Sequence, residues 1–316
     1  MRRIEAPTID DIRAARERIA PLVTRTPLIR LQVDAPAEIY LKLENLQPIG
    51  SFKLRGAGNA IATLNREELR EGVYTASAGN MAQGVAWGAR ALGVPCEVVM
   101  PDSAPRTKVE AVERLGGRIT KLPYAEWWQT LGDFGRAGVR GRFIHPVADR
   151  DVMAGNGTIG LEIVEDLPDV DVVLVPFGGG GLTSGIATAL RAVAPRVRVF
   201  ACEVSTSTPL TAALAANAPI TVERVASFVD GIGGRGVLPE MFPIVRELVA
   251  GALVSPVDEV AAAVRLLVER ARIVAEGAGA TPVAAALAGR AGRGKVVCVV
   301  SGGNIDTTTL ADVLSS

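Results

Sequence analysis

The sequence predicts an α/β protein of two doubly wound, mainly parallel sheets, and three observations carry that prediction. Seven short apolar runs recur along the 316 residues, most followed by a helical stretch. Several are apolar on both faces, as strands covered by helices on either side must be. Three of them, in "VYTASAGN", "LVPFGGGG" and "VCVVSGGN", run into small, flexible residues ahead of an expected helix, where open sheets bind their ligands.

The elements follow in order. Thr8 and Asp11 form a capping-box pattern ahead of Ile9, Ile12 and Ile19, so an amphipathic helix of about three turns opens the chain. Strands are expected at 38–43 (EIYLKL), 72–77 (GVYTAS), 96–100 (CEVVM), 118–122 (RITKL), 171–177 (DVVLVPF), 198–202 (RVFAC) and 295–300 (KVVCVV). The helices "MAQGVAWGARAL", "LTSGIATALRAV" and "IDTTTLADVL" are expected to start directly after the three small-residue loops, and together these loops suggest one composite site. No fixed-period repeat, heptad series, low-complexity tract or flexible linker interrupts the pattern.

Bulk properties narrow the partners. Thirty-four basic residues balance thirty-four acidic ones, so no net field draws the chain to nucleic acid or to anionic lipid, and a small molecule is the expected ligand. Cys96, Cys202 and Cys298 sit in apolar strand-like contexts without Cys-x-x-Cys spacing and read as reduced core residues. A single histidine, His145, excludes a multi-histidine metal centre, has no nucleophile-elbow motif with it and reads as structural. The amino terminus has no apolar segment and so no secretory signal, and a cytoplasmic location is expected. The uncharged run 172–190 holds four consecutive glycines and a proline, which suits strand, loop and helix better than a membrane span.

The loop Gly178, Gly179, Gly180 and Gly181 is the strongest anion cradle, because bare peptide N–H groups can turn inward ahead of a helix start. A phosphate suits it; a plain tight turn rarely needs four glycines. A nicotinamide dinucleotide is a rival, with Gly179, Gly181 and Gly185 loosely spaced and Glu203 available for a ribose. That rival leaves Lys53 unused. In "PIGSFKLRG", Lys53 follows Phe52 just past a Pro-Ile-Gly break, at an expected helix start. A lone lysine is usually a solvated surface charge, but a desolvated amine beside a phosphate loop suits a carbonyl cofactor held as a Schiff base, which points to pyridoxal phosphate.

Assembled, the motifs resemble the threonine/serine dehydratase family of fold-type II pyridoxal-phosphate enzymes, which also includes serine racemase and shares a tryptophan synthase β-like fold. The likeness runs from about Thr24 to Asp306 through "RTPL", "LKLENLQPIGSFKLRGA", "SAGNMAQGVA", "HPVADRDVMAGNGTIGLEI", "PFGGGGLTSGIA", "DGIG", "AEGAGA" and "SGGNID". It implies a large cofactor domain of residues 1–65 and 148–316 and a small mobile substrate-loop domain of 72–147. It also implies that Lys53 carries pyridoxal 5'-phosphate and moves the substrate Cα proton, that Phe52 and Gly231 flank the ring, and that Gly178 to Gly181 with Leu182 hold the phosphate. Asn80 would meet the ring hydroxyl, Ser301 the ring nitrogen, and Glu276 would be an acid near the ring. Ser77, Ala78, Gly79, Asn80 and Met81 would take the substrate carboxylate. The implied reaction is loss of water from L-threonine or L-serine to give a 2-keto acid and ammonia, by a homodimer. Ser301 is a neutral partner for the ring nitrogen, which makes the ring a milder electron sink and suits elimination.

Departures from the family pattern shape the expectations. Met81 replaces the usual histidine, which touches substrate choice; Ala78 replaces the racemase serine, so efficient racemisation is not expected. Glu203 matches one acid of a family cation site, but Ser207 and Pro209 stand where further ligands belong, so no metal is expected and Glu203 reads as a strand-end surface acid. The segment around Trp127 and Trp128 is least like the family; the rings read as packing that could also reshape specificity. The chain stops soon after "SGGNID", so no feedback-sensing domain is expected. Alternatives kept open are another fold-type II reaction, either β-replacement or dehydration of hydroxyaspartate or another β-hydroxy amino acid, an NAD(P) oxidoreductase, and a non-catalytic amino-acid-binding protein.

Overall fold

A computed structural model describes residues 3–316; Met1 and Arg2, which the large predicted domain includes, lie outside the described residues. The predicted capping box is present. Thr8 Oγ1 accepts from the Asp11 amide at 3.2 Å, and the Asp11 carboxylate accepts from the Thr8 amide at 2.7 Å. They start α1 (Ile9–Ile19), which buries Ile12, Ala15 and Ile19.

The first half continues with β1 (Leu28–Arg30), β2 (Glu38–Leu43), α2 (Lys53–Ala62), α3 (Arg66–Glu71), β3 (Val73–Ala76) and α4 (Asn80–Ala91). Next come β4 (Cys96–Pro101), α5 (Arg106–Arg114), β5 (Arg118–Leu122), α6 (Tyr124–Gly132) and β6 (Arg142–Phe143). The second half runs α7 (Arg150–Asp166), β7 (Val172–Pro176), α8 (Gly181–Val193), β8 (Arg198–Val204), α9 (Pro209–Ala216), α10 (Phe242–Leu248) and β9 (Gly251–Ser255). It closes with α11 (Val257–Leu266), α12 (Gly277–Leu287), β10 (Lys295–Val300) and α13 (Thr307–Ser315).

All seven predicted strands are present, and they fall into two sheets. One has the order β1-β2-β10-β7-β8-β9 and the other β5-β4-β3-β6. Every pairing is parallel except β1 with β2. The large sheet is buried on both faces: Val296, Cys298 and Val300 of β10 join one apolar cluster while Val297 and Val299 join the other. That double burial is why its strands read as unbroken apolar runs. Three strands escaped prediction. β1 and β6 have three and two residues, and β9 is a partly exposed edge.

One expected helix start needs correction. α13 begins at Thr307, so "SGGN" does not lead straight into it. The chain is instead held sideways: Phe52 N donates to Ser301 O at 3.0 Å, Gly303 N to Gly50 O at 2.9 Å, and Ser51 and Gly302 form an isolated bridge. These bonds tie the loop after β10 to the loop before α2. Because β10 lies between β2 and β7, the loops after all three strands meet at one edge of the sheet.

Behind that edge α7 packs against α2 and α8 at backbone contact. A Cβ on Gly155 would stand 2.3 Å from Arg55 O, and one on Gly185 would stand 2.2 Å from Met153 O. Among the described residues no helix is long and apolar enough to cross a membrane.

Candidate active site

Gly50 takes φ +70°, which glycine tolerates best, and turns the chain so that Phe52 precedes α2 and Lys53 is its first residue. The Lys53 Nζ donates to Pro146 O at 3.0 Å and lies 5.1 Å from the Phe52 ring centre. Burial lowers its amine to about 8, with the charge of Glu276 opposing that shift. The lysine is therefore not a plain surface charge.

His145 organises what lies opposite. Its Nδ1 accepts from the amides of Val147 at 3.0 Å and Ala148 at 2.8 Å, and its ring packs 4.6 Å from Phe134. The resulting turn aims Pro146 O at Lys53. The next residue, Val147, lies against the glycine loop, where a Cβ on Gly179 would meet its methyls at 2.7 Å and one on Gly181 its carbonyl at 2.8 Å. Gly180 has φ +97° and caps α8. The amine and the glycine loop thus face neighbouring residues of one turn.

The first turn of α8 contains no acid. Among the described residues the buried hydroxyls of Thr183 and Ser184 have no hydrogen-bond partner, and Leu182 packs into the sheet core. Bare amides at a helix N-terminus, orphaned hydroxyls and no competing carboxylate fit a phosphate, and the nearby lowered amine fits an aldehyde. Pyridoxal phosphate carries both groups.

Ser77, Ala78 and Gly79 lead from β3 into α4, whose first residues are Asn80 and Met81. Gly79 N donates to Ser77 Oγ at 3.2 Å. The Met81 side chain is buried among Ala57, Ile61 and Val85, so only its backbone can serve a ligand. Asn80 Nδ2 donates to both Glu276 oxygens at 2.9 and 3.2 Å, and Asn80 Oδ1 accepts from Asn304 Nδ2 at 2.8 Å. Glu276 is wedged against Gly302, where a Cβ would stand 2.5 Å from its Oε1, and near Gly231, at 3.8 Å by the same measure. Burial raises its carboxyl to about 7; the Asn80 hydrogen bond pulls the other way and Asp230 adds to the rise. Ser301 is buried at the end of β10. The edge of the large sheet therefore brings the Lys53 loop, the glycine loop and the "SGGN" loop together, and the bonds of Asn80 to Glu276 and Asn304 attach the Ser77–Met81 turn of the smaller sheet to them.

The reading of Glu203 as a surface acid is wrong. It is fully buried, accepting from the amides of Leu210 at 2.7 Å and Thr211 at 2.9 Å and from Thr211 Oγ1 at 2.6 Å. The exposed amides at the start of α9 draw it in, as helix N-termini draw carboxylates. No cluster of three metal-ligating residues occurs among the described residues. Trp127 is half-buried and Trp128 is exposed, stacking with Tyr124 at 6.5 Å on α6. All three cysteines are free thiols, and burial pushes that of Cys96 up to about 12.

Such a site defines an enzyme of the class that grips a phosphorylated aldehyde at a glycine loop and links it through a lysine. The chain belongs to the family described as pyridoxal-phosphate dependent enzymes, whose family model matches residues 19–302. Pyridoxal phosphate is its cofactor. The chain is similar to the L-threonine ammonia-lyase of Geobacter sulfurreducens, 43% identical over 96% of this chain and 77% of that protein. The L-threonine ammonia-lyase of Thermotoga maritima is 41% identical over 98% and 78%. Among solved structures, maize serine racemase superposes with TM-score 0.89 at 33% identity over 98% of both chains. The processed threonine deaminase isoform 2 of Solanum lycopersicum gives 0.86 at 31% identity, covering 99% of this chain and 96% of that one.

Proposed function

We propose that this enzyme removes water from a β-hydroxy amino acid, L-threonine or L-serine, and releases a 2-keto acid and ammonia. The observation that carries the reading is the Lys53 amine, lowered to about 8 and facing the same turn as the glycine loop. Threonine ammonia-lyases at 43% and 41% identity support the substrate class.

When bound, pyridoxal phosphate supplies an electron sink that acidifies the Cα–H bond of an amino acid joined to its aldehyde carbon. Lys53 holds the cofactor and, once freed by substrate, takes the Cα proton, a role that an amine with its pKa near neutrality performs well. The Cβ–O bond would break, and the hydroxyl would leave as water with the proton that Lys53 took from Cα. The released enamine becomes an imine and takes water back, so the net products are the keto acid and ammonia. In this reading the amides of Gly178 to Gly181 and Leu182 hold the phosphate, and Phe52 and Gly231 flank the ring. Asn80 meets the ring hydroxyl, Ser301 the ring nitrogen, and Glu276 stands beside the ring. The turn Ser77 to Met81 takes the substrate carboxylate with its amides. Ala78 offers no atom for proton transfer on the opposite face, so elimination is preferred to racemisation.

The same reading makes β3 to β6 with their helices, residues 72–147, a small domain that moves against the larger one. It also carries a homodimer working in the cytoplasm. The test is a keto-acid release assay over a panel of β-substituted amino acids, with Lys53→Ala as the blank and borohydride labelling of the resting enzyme. A yellow protein labelled at Lys53 that releases keto acid from threonine or serine is expected. Label on another lysine, or a colourless protein that binds a nicotinamide cofactor, would sink the proposal.

A further inference from the structure

Asn304 belongs to the "SGGNID" motif but has no role in the reaction as described above. Its Nδ2 lies 2.8 Å from Ile49 O, in the loop leading to Lys53, and 2.8 Å from Asn80 Oδ1, at the start of α4. A Cβ on Gly50 would stand 2.7 Å from its Oδ1, so the side chain is seated against that loop. One amide of the "SGGN" loop therefore touches two other loops of the site.

The orientation follows by elimination. A backbone carbonyl only accepts, so the Asn304 atom facing Ile49 must be its NH2. The same NH2 faces Asn80, so the Asn80 atom there must be its oxygen. The Asn80 NH2 is then turned toward Glu276, as the 2.9 and 3.2 Å contacts require. An NH2 group has two hydrogens. With one serving Glu276, the other is available to a ligand oxygen.

We infer that Asn304 is a positioning residue: it locks the Asn80 carboxamide so that Asn80 presents a hydrogen-bond donor, never an acceptor, to the ring oxygen of the cofactor. The inference rests on the reading that Asn80 meets that oxygen. A donor there favours the oxygen's anionic form, whereas an inverted amide would set two acceptors face to face.

Asn304→Asp is the sharpest probe, because a carboxylate of nearly the same shape repels Asn80 Oδ1 and inverts the amide. Holoenzymes of Asn80→Ala, Asn304→Asp, Asn304→Ala and the double variant Asn80→Ala/Asn304→Asp are compared by visible absorption of the bound cofactor. Resolved and retitrated protein gives the cofactor dissociation constant by fluorescence. Asn304→Asp is expected to weaken cofactor binding about tenfold, the range for a hydrogen bond to a charged group, and to change the visible spectrum as Asn80→Ala does. Asn304→Ala, which frees the amide without inverting it, is expected to cost about threefold. In the double variant the aspartate adds only the loss of its bond to Ile49 O, which Asn304→Ala also loses, so the combined loss stays well below the product of the two single losses.

The inference is overturned if Asn304→Asp and Asn80→Ala losses multiply. It is overturned equally if Asn304→Asp lowers the melting temperature while spectrum and affinity stay wild-type, which is the behaviour of a scaffold residue. Should Asn80→Ala itself leave spectrum and affinity unchanged, the assignment of Asn80 fails and takes this inference with it. Keto-acid release by the unaltered enzyme decides the proposed reaction separately.

Discussion

Two cations stand two positions apart on α2 and are treated in opposite ways. Arg55 points into the protein and is saturated: it reaches Glu44 at 2.8 and 2.9 Å, Glu162 at 2.7 and 2.9 Å and Thr158 at 3.1 Å. Lys42 joins the cluster through Glu162 at 2.5 Å, and Thr26 through Glu44 at 2.5 Å. Two positive and two negative groups balance there, nearly all sealed from water. Burial pulls the Glu44 carboxyl upward, but the Arg55 charge beside it more than reverses this and leaves it below its ordinary value. Lys53 faces the other way, donates to the Pro146 carbonyl, and has an amine lowered by burial. A charge with every bond made is chemically inert and anchors a helix; a charge denied those bonds is ready to react. The first condition secures the second, because the helix that presents Lys53 is pinned two residues on.

The contrast can be broken from either side. Replacing Lys53 by Ala removes the reactive half: keto-acid release is expected to fall by about 10⁴-fold or more, roughly 5 kcal/mol of barrier, while urea unfolding keeps its cooperativity. Arg55→Met attacks the anchoring half. It leaves the Glu44 and Glu162 carboxylates buried without their main partner and is expected to cost about 3 to 5 kcal/mol in urea unfolding at pH 7. If Arg55→Met costs less than about 1 kcal/mol, the cluster is not what holds α2.

Glu276 sharpens the comparison through pH. Its folded value of about 7 lies above the ordinary 4.5, so the folded state holds a proton that the unfolded chain releases between those limits. Stability of the cofactor-free protein should therefore fall as pH rises from about 4.5 to 7. Glu44 has the opposite sign: its depressed value gives stability present above the ordinary range and lost in acid. Glu276→Gln removes the first slope and is expected to gain up to about 3 kcal/mol at pH 8 and almost nothing at pH 4, read by urea unfolding at each pH. A smaller effect is expected at the glycine loop. Gly180→Ala meets a φ of +97° and a Val245 methyl at 2.8 Å, and should cost about 1 to 2 kcal/mol and weaken cofactor binding measured by fluorescence.

Much of this was legible in the residues. Strands of the large sheet announced themselves because both their faces are covered, and Thr8 with Asp11 marked α1 because a cap is a local pattern. Lys53 and the four glycines were legible for the same reason: each is a residue type suited to one chemistry. What escaped is non-local. Pro146 contributes a carbonyl, which every residue has, so no residue type betrays it. Asn304 meets Ile49, 255 residues away in sequence, and Asn80, 224 residues away. Glu203 looked exposed because the α9 amides that bury it come from a later element, although Pro209 at that helix start was a usable signal. β1, β6 and β9 escaped because strands that are very short or at an exposed edge need no apolar pattern.

The glycines where α7 meets α2 and α8 have one more consequence. With Gly155 against the backbone of α2 and Gly185 of α8 against the backbone of α7, the lysine-bearing helix and the helix behind the phosphate loop are both registered to a single rod, with no side chains between to act as springs. The span from amine to cradle is thus a fixed gauge. A vitamer lengthened by one methylene between ring and phosphate could seat its head or its tail, but not both.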